Sequence, residues 1–142
     1  MSVKAILDEK GRDVITVGSQ MTIQEAAKFL HKNHIGAVVI VDASQRIGGI
    51  LAERDIVAAI AKQGAACLEK PVSSIMWSNV FRCSEQTTVD EVMGMMSAKR
   101  ARHIVVEEGG RLVGIISIGD VVKSHIRAIE QEAEQIKAYI TG

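Results

Sequence analysis

An internal repeat constrains the fold of this chain more than any other feature of its sequence. Thr22-Ile-Gln-Glu25, followed by apolar residues at helical spacing, recurs further along as Thr88-Val-Asp-Glu91 with the same apolar pattern after it. In both copies the Thr hydroxyl can accept a hydrogen bond from the third helical amide, while the Glu reaches back to the amide of the cap residue. Both segments are therefore predicted to begin amphipathic helices.

The repeat continues on both sides of these helices as short β-branched runs. Ile35–Val41 and Ala101–Glu107 follow the helices and have the composition of buried strands. After a turn, a further apolar segment starts at Gly49 in the first copy and at Gly114 in the second. First strands are predicted upstream, at Val14–Val17 and Val80–Cys83. Each copy therefore predicts strand, helix, strand, strand, helix, which is an α+β fold of two βαββα repeats.

One copy alone is too short to bury a comfortable hydrophobic core, so the two copies are expected to share one. The predicted boundaries are residues 1–62 for the first repeat, 63–71 for a linker, 72–127 for the second repeat and 128–142 for an extension of the last helix. Gly64 is predicted to end a helix, and Pro71 is the only proline.

Composition excludes several classes of function. Seventeen basic residues balance seventeen acidic ones, so the chain has no net positive charge that would attract nucleic acid. Its apolar runs are far shorter than the roughly 20 residues that a membrane helix needs. The first residues lack the pattern of a secretory signal, and the two cysteines lack metal-ligand spacing. We therefore expect a cytoplasmic protein with no membrane segment, no nucleic-acid partner and ordinary thiols.

Two Gly-h-h-x-x-x-Asp segments, at Gly49–Asp55 and Gly114–Asp120, each start a helix after an apolar strand. Two such segments, in register within matching strand and helix patterns, resemble the tandem CBS-domain pair, also called a Bateman module. The resemblance covers nearly the whole chain. It implies repeats packed with pseudo-two-fold symmetry and two clefts between them that bind adenine nucleotides or related adenosyl compounds.

The resemblance also implies roles for individual residues. A carboxylate at a helix start can accept hydrogen bonds from both vicinal ribose hydroxyls, and the implied ribose ligands are Ser117, Asp120 and Asp55. Ala52 stands where the family usually has Ser or Thr, which weakens the first site. The implied phosphate ligands are Arg102, His103, Arg54, Gly36 and Ala37. The implied adenine pocket is formed by Asp13, Val14, Ile15, Asn79, Val80 and Phe81.

Simpler interpretations exist for the same residues. Asp55 and Asp120 could be helix caps without any ligand, since Asp caps helices well. The basic run Lys99–Arg102 could be the solvated end of a helix whose dipole attracts cations. The histidines at helical spacing have no partner ligands in the sequence, and Met93 and Met96 fit an apolar stripe, so we predict no metal site.

The last helix carries more apolar surface than the second repeat needs. After Asp120 the chain has no Gly or Pro until Gly142, and apolar residues alternate in steps of four and three. These residues are Val122, Ile126, Ile129, Ala133, Ile136 and Ile140. This heptad-like seam predicts a homodimer, the alternative being that the helix packs back on its own chain.

These observations predict a non-catalytic regulatory sensor. It binds AMP, ADP, ATP, NAD(H) or another adenosyl ligand between the repeats, as in energy sensing, and signals to a protein partner by conformational change. No nucleophile with a base, metal set or carboxylate pair stands out, so we expect no enzyme and no catalytic cofactor. The alternative is a protein-interaction or dimerisation module with degenerate nucleotide sites.

Overall fold

The computed structural model describes residues 1–141 and divides the chain into two compact units. The central unit is Val14–Val80, and the split unit combines Met1–Asp13 with the chain from Phe81 onward. Each unit contains one three-stranded sheet and its own helices. The predicted α+β class and the βαββα order are therefore confirmed in both units.

The elements follow one another in a simple order. In chain order they are α1 (Val3–Lys10), β1 (Thr16–Gly18), α2 (Ile23–Asn33), β2 (Ala37–Val41), β3 (Ile47–Ala52), α3 (Glu53–Gln63), β4 (Arg82–Cys83), α4 (Val89–Lys99), β5 (His103–Glu108), β6 (Arg111–Ser117) and α5 (Ile118–Thr141). Two 3₁₀ helices, Ala65–Glu69 and Val72–Ser74, follow α3. In each sheet the middle strand pairs in parallel with the first strand and antiparallel with the third.

The predicted helix starts are present. Thr22 Oγ1 accepts from the Glu25 amide at 3.1 Å, and a Glu25 carboxylate oxygen accepts from the Thr22 amide at 3.4 Å, which completes the capping box of α2. Thr88 Oγ1 accepts from the Glu91 amide at 3.1 Å at the start of α4. Both helices then bury one apolar face, which confirms the amphipathic pattern read from the sequence.

Both units repeat the same backbone hydrogen bonds, as the sequence repeat requires. One bond joins the first strand region to the middle strand, and another joins the start of the last helix to the start of the middle strand. In the bond between the first strand region and the middle strand, Val39 N donates to Ile15 O (3.4 Å) and, in the other unit, Val105 N donates to Phe81 O (3.0 Å). In the bond from the last helix, Glu53 N donates to Gly36 O (3.0 Å) and Ile118 N donates to Arg102 O (2.9 Å). The two copies thus share one local geometry.

The strands begin later than the sequence predicts. The helices α2 and α4 are followed by the C-cap residues His34 and Arg100, which both adopt left-handed backbone angles. The next residues still bond to the helix, since Ile35 N donates to Leu30 O and Ala101 N donates to Met96 O, both at 3.1 Å. Amides used in this way cannot join a sheet, so β2 and β5 start only at Ala37 and His103.

The helix α1 was not predicted, although its signals are in the sequence. Val3, Ile6 and Leu7 lie at helical spacing, are buried, and join the hydrophobic core of the split unit. The Val3 amide also donates to Thr87 O at 2.9 Å. The predicted division of the sequence stays a prediction; its boundaries are 1–62, 63–71, 72–127 and 128–142. In the structure, Met1–Asp13 groups with the second sheet.

The two motif glycines allow close packing over the third strand of each sheet. A Cβ at Gly114 would lie 2.7 Å from Leu7 Cδ2, and a Cβ at Gly49 would lie 2.8 Å from the Trp77 carbonyl oxygen. No side chain fits at such distances without a shift of its neighbours. In each unit the glycine therefore makes room for a covering segment, namely α1 in the split unit and the residues around Trp77 in the central unit.

Candidate functional site

Ser117 and Asp120 form a reciprocal cap at the start of α5. The Ser117 amide donates to Asp120 Oδ2 at 2.8 Å, and Ser117 Oγ accepts from the Asp120 amide at 3.2 Å. The simpler interpretation made Asp120 the cap residue itself. In the structure Ser117 is the cap residue, and Asp120 is the third residue of the capped turn. These hydrogen bonds show that the carboxylate stabilises the start of α5, and its role in ligand binding stays a prediction.

Lys10 is the residue that sequence reasoning missed at this position. Its ammonium group donates to Asp120 Oδ2 at 2.6 Å and to the Ile115 carbonyl oxygen at 2.8 Å. Lys10 is the last residue of α1, so it ties this helix to both β6 and the start of α5. The sequence carries no local signal for this contact, because Lys10 and Asp120 come from the two separate segments that make up the split unit.

The electrostatics keep the Asp120 carboxylate ionised. Partial burial by itself raises the pKa of Asp120, but the hydrogen bonds from Lys10 and from the Ser117 backbone outweigh it, so the pKa lies below its usual value. The bonds from Ser117 N and Lys10 Nζ both end on Oδ2. Neither of them uses Oδ1, which can accept further hydrogen bonds.

Two of the predicted phosphate ligands lie beside this cap. His103 pairs with Ser117 across β5 and β6, and the Arg102 carbonyl accepts from the Ile118 amide. The Arg102 side chain is exposed and His103 is half-buried. The split unit thus brings Ser117, Asp120, Arg102 and His103 together at one end of its sheet, with Lys10 as an additional cation.

The central unit repeats this arrangement with fewer polar groups. Asp55 Oδ2 accepts from the Ala52 amide at 2.8 Å at the start of α3, but Ala52 has no hydroxyl to complete the cap. Ala37 pairs with Ala52 across β2 and β3. A Cβ added at Gly36 would meet nothing within 4 Å, and Arg54 is exposed, so this end of the sheet is open.

The residues predicted for an adenine pocket fall in both units. Val14, Ile15, Asn79 and Val80 belong to the central unit, whereas Asp13 and Phe81 belong to the split unit. Several of their carbonyl oxygens already accept one hydrogen bond: Ile15 from Val39 N, Phe81 from Val105 N, and Asn79 from the Trp77 indole at 2.8 Å. Because a carbonyl oxygen has two lone pairs, these bonds leave capacity for a second donor.

Asp120 also lines a cavity of the split unit between α1 and α5. Its volume is about 340 Å³, within the range of small-molecule pockets. Lys10, Lys123 and Arg127 contribute positive charge, and Glu9 and Asp120 contribute negative charge. The Arg127 guanidinium pairs with Glu9, which lowers the pKa of that carboxyl.

The thiols show no sign of activation. Cys67 is buried, and burial raises the pKa of Cys83 to about 11, so little thiolate forms at neutral pH. Among residues 1–141, no three His, Cys, Asp or Glu side chains cluster so that they could hold a metal ion. Within the same residues, no helix has the length and apolar character that crossing a bilayer demands.

The comparisons with known proteins agree with the fold and with its repeat. The sequence model of the CBS domain matches the chain twice, over residues 3–62 and 72–126. The chain therefore belongs to the CBS-domain family, and it holds two copies of the domain.

Solved structures show the same architecture. A CBS-domain containing protein from Agrobacterium tumefaciens is 54% identical with a TM-score of 0.86, and the match covers 88% of this chain and 99% of that one. The CBS domain pair of protein MJ0100, solved with 5′-methylthioadenosine and S-adenosyl-L-methionine, is 32% identical with a TM-score of 0.78 and coverages of 88% and 95%. A CBS domain protein from Pyrobaculum aerophilum, in complex with AMP, is 28% identical with a TM-score of 0.74 and coverages of 84% and 89%.

Proposed function

We propose that this protein is a non-catalytic sensor that binds an adenosyl ligand at the Ser117–Asp120 cap and regulates a protein partner. The candidate ligands are AMP, ADP, ATP, NAD(H) and S-adenosylmethionine. Two similar CBS pairs were solved with AMP or with S-adenosyl-L-methionine, which supports the ligand class. The homodimer and the cytoplasmic location predicted from the sequence remain predictions.

The observation that carries the proposal is the state of the Asp120 carboxylate. It is ionised, fixed at a helix start by Ser117 N, and has Oδ1 unused by that bond and by the bond from Lys10. Vicinal ribose hydroxyls are donors that match such an acceptor, and hydrogen bonds to charged groups are the stronger ones. Arg102, beside the adjoining strand start, supplies the positive charge that a phosphate favours, and His103 is the second proposed phosphate ligand.

The central unit is proposed as the weaker site. Asp55 keeps the carboxylate at the start of α3, but Ala52 removes the hydroxyl that Ser117 supplies in the split unit. Arg54 and the open strand start at Gly36 and Ala37 would receive phosphate there. We therefore expect the first ligand equivalent to bind through Asp120.

Calorimetric titration with AMP, ATP, NADH and S-adenosylmethionine tests the proposal. At least one ligand is expected to bind, and Asp120→Asn should weaken it by about ten- to a hundredfold, the value of a charged hydrogen bond. Asp55→Asn should have a smaller effect, and Asp90→Asn, on the first turn of α4, should have none. If all four ligands fail at millimolar concentration, the protein is instead an interaction module with degenerate sites.

A further inference from the structure

Lys10 occupies part of the carboxylate that the proposed function assigns to ribose. Its ammonium group donates to Asp120 Oδ2 at 2.6 Å, and the Ser117 amide donates to the same oxygen at 2.8 Å. A carboxylate oxygen has two lone pairs, so these two donors fill Oδ2. Of the two oxygens of Asp120, these bonds leave only Oδ1 for a further donor.

A ribose presents two donors side by side. Its adjacent 2′ and 3′ hydroxyls pair best with a carboxylate when each donates to a different oxygen, because both hydrogen bonds can then be short and straight. The second hydroxyl therefore needs Oδ2 of Asp120, and one of the two present donors has to leave that oxygen. Two-point pairing of ribose with Asp120 thus competes with the existing contacts of Oδ2.

Lys10 is the donor that can leave. The Ser117 amide is fixed within the capped turn, since Ser117 Oγ also accepts from the Asp120 amide at 3.2 Å. Lys10 is the last residue of α1, and its charge is carried at the end of a flexible four-carbon stem. Its side chain is 35% exposed, so water can replace the carboxylate around the ammonium group. A partly screened ion pair of this kind is weak enough for a ribose to displace it.

The central unit shows that the turn does not need such a cation. Asp55 Oδ2 accepts from the Ala52 amide at 2.8 Å, the same distance as in the split unit. None of the ion pairs among residues 1–141 involves Asp55. Lys10 is therefore an addition to one of two otherwise similar carboxylates.

We propose that Lys10 is a built-in competitor of the adenosyl ligand, which occupies Asp120 until a ribose diol displaces it. This inference rests on the proposed function, because both concern the same carboxylate. The competition lowers the affinity of the site for ribose and so raises the ligand concentration at which the sensor responds. By linkage, the ligand weakens the Lys10 contact by the same factor by which Lys10 weakens the ligand.

Displacement of Lys10 changes how the end of α1 is joined to the split unit. The ammonium group also donates to the Ile115 carbonyl oxygen of β6 at 2.8 Å, and Glu9 pairs with Arg127 of α5. Leu7 is fully buried, so the body of the helix stays packed when Lys10 leaves Asp120. The change is therefore confined to the last turn of α1, which is where this competition expresses ligand binding.

Calorimetric titration of the full chain with AMP tests the competition, with ATP or S-adenosylmethionine in its place if AMP does not bind. Lys10→Met removes the competitor. Lys4→Met is the control, because Lys4 carries the same charge on α1 but pairs with Asp8. The ligand should bind Lys10→Met about two- to fivefold more tightly than Lys4→Met, which is the value of a partly exposed ion pair. Lys10→Arg keeps the cation and should show no gain over wild type.

The 2′-deoxy form of the same ligand separates competition from a general effect of charge or stability. Its single hydroxyl can use Oδ1 and leave Lys10 in place, so Lys10→Met should bring no gain in affinity for it. An equal gain for both forms, or no gain of Lys10→Met over Lys4→Met, overturns the competition and leaves the proposed function standing. If none of the ligands binds any of these proteins, the proposed function fails and the competition fails with it.

Discussion

Replacing Asp120 with Ala should cost stability as well as ligand affinity, because the carboxylate holds two groups of its own chain. The variant leaves the Ser117 amide without its acceptor and the Lys10 ammonium without its ion-pair partner. The substitution therefore tests both the proposed ribose site and the way in which α1 is joined to α5.

The magnitude follows from the two lost contacts. Loss of a helix-capping acceptor costs about 1 kcal/mol. The Lys10–Asp120 side chains are 35% and 24% exposed, so their ion pair is partly screened and contributes about 0.5 kcal/mol. The free energy of unfolding of Asp120→Ala should therefore fall by about 1.5 kcal/mol. The matched variant Asp55→Ala loses only the Ala52 amide contact and should fall by about 1 kcal/mol.

Urea denaturation followed by circular dichroism measures these losses, and their pH dependence checks the cause. Because the folded pKa of Asp120 lies below the ordinary value of 3.8, its stabilisation is fully present above that value and is lost as the pH falls through the folded pKa. The gap between wild type and Asp120→Ala should thus be constant from about pH 7 to about pH 5 and shrink in stronger acid. Equal stability at neutral pH, or a gap that widens on acidification, would refute this reasoning.

Four further substitutions test other parts of the account. Gly114→Ala should destabilise the fold by about 1–3 kcal/mol, because the new methyl group overlaps Leu7. Gly94→Ala is the control in α4: its methyl group meets nothing within 4 Å, so it should stabilise the fold by up to about 1 kcal/mol. Thermal melts in which both variants shift the melting temperature in the same direction would contradict the packing argument. Arg102→Ala should weaken AMP more than adenosine in titrations, and equal losses would remove its phosphate role. Ala52→Ser should add a cap to α3 and raise the free energy of unfolding by about 1 kcal/mol, so an unchanged urea midpoint would count against the repeat comparison.

The sequence predicts local structure well wherever the signal is local. The Thr22 box places α2 correctly, the alternation of β-branched runs finds the middle strands, and the glycine-free stretch after Asp120 predicts the long last helix. The Ser117-x-x-Asp120 spacing is itself a capping pattern, so the true position of Asp120 in the turn was also readable. These features depend on residues within a few positions of one another.

What the sequence does not predict depends on contacts between distant segments. Nothing near Leu7 indicates that it packs over Gly114, and nothing near Lys10 indicates that it pairs with Asp120. The grouping of Met1–Asp13 with the second sheet follows from these contacts and from backbone bonds such as Val3 N to Thr87 O. The sequence motifs therefore could not predict that Lys10 is a further cation of the candidate site.

The most direct test is to follow the backbone amides of the labelled protein by NMR while AMP is added. The largest shift changes are expected at Ser117–Asp120 and at Arg102 and His103, with smaller changes at Asp55 and Gly36. Saturable changes elsewhere, or none at millimolar AMP and S-adenosylmethionine, would mean that the capped carboxylates only hold the fold together.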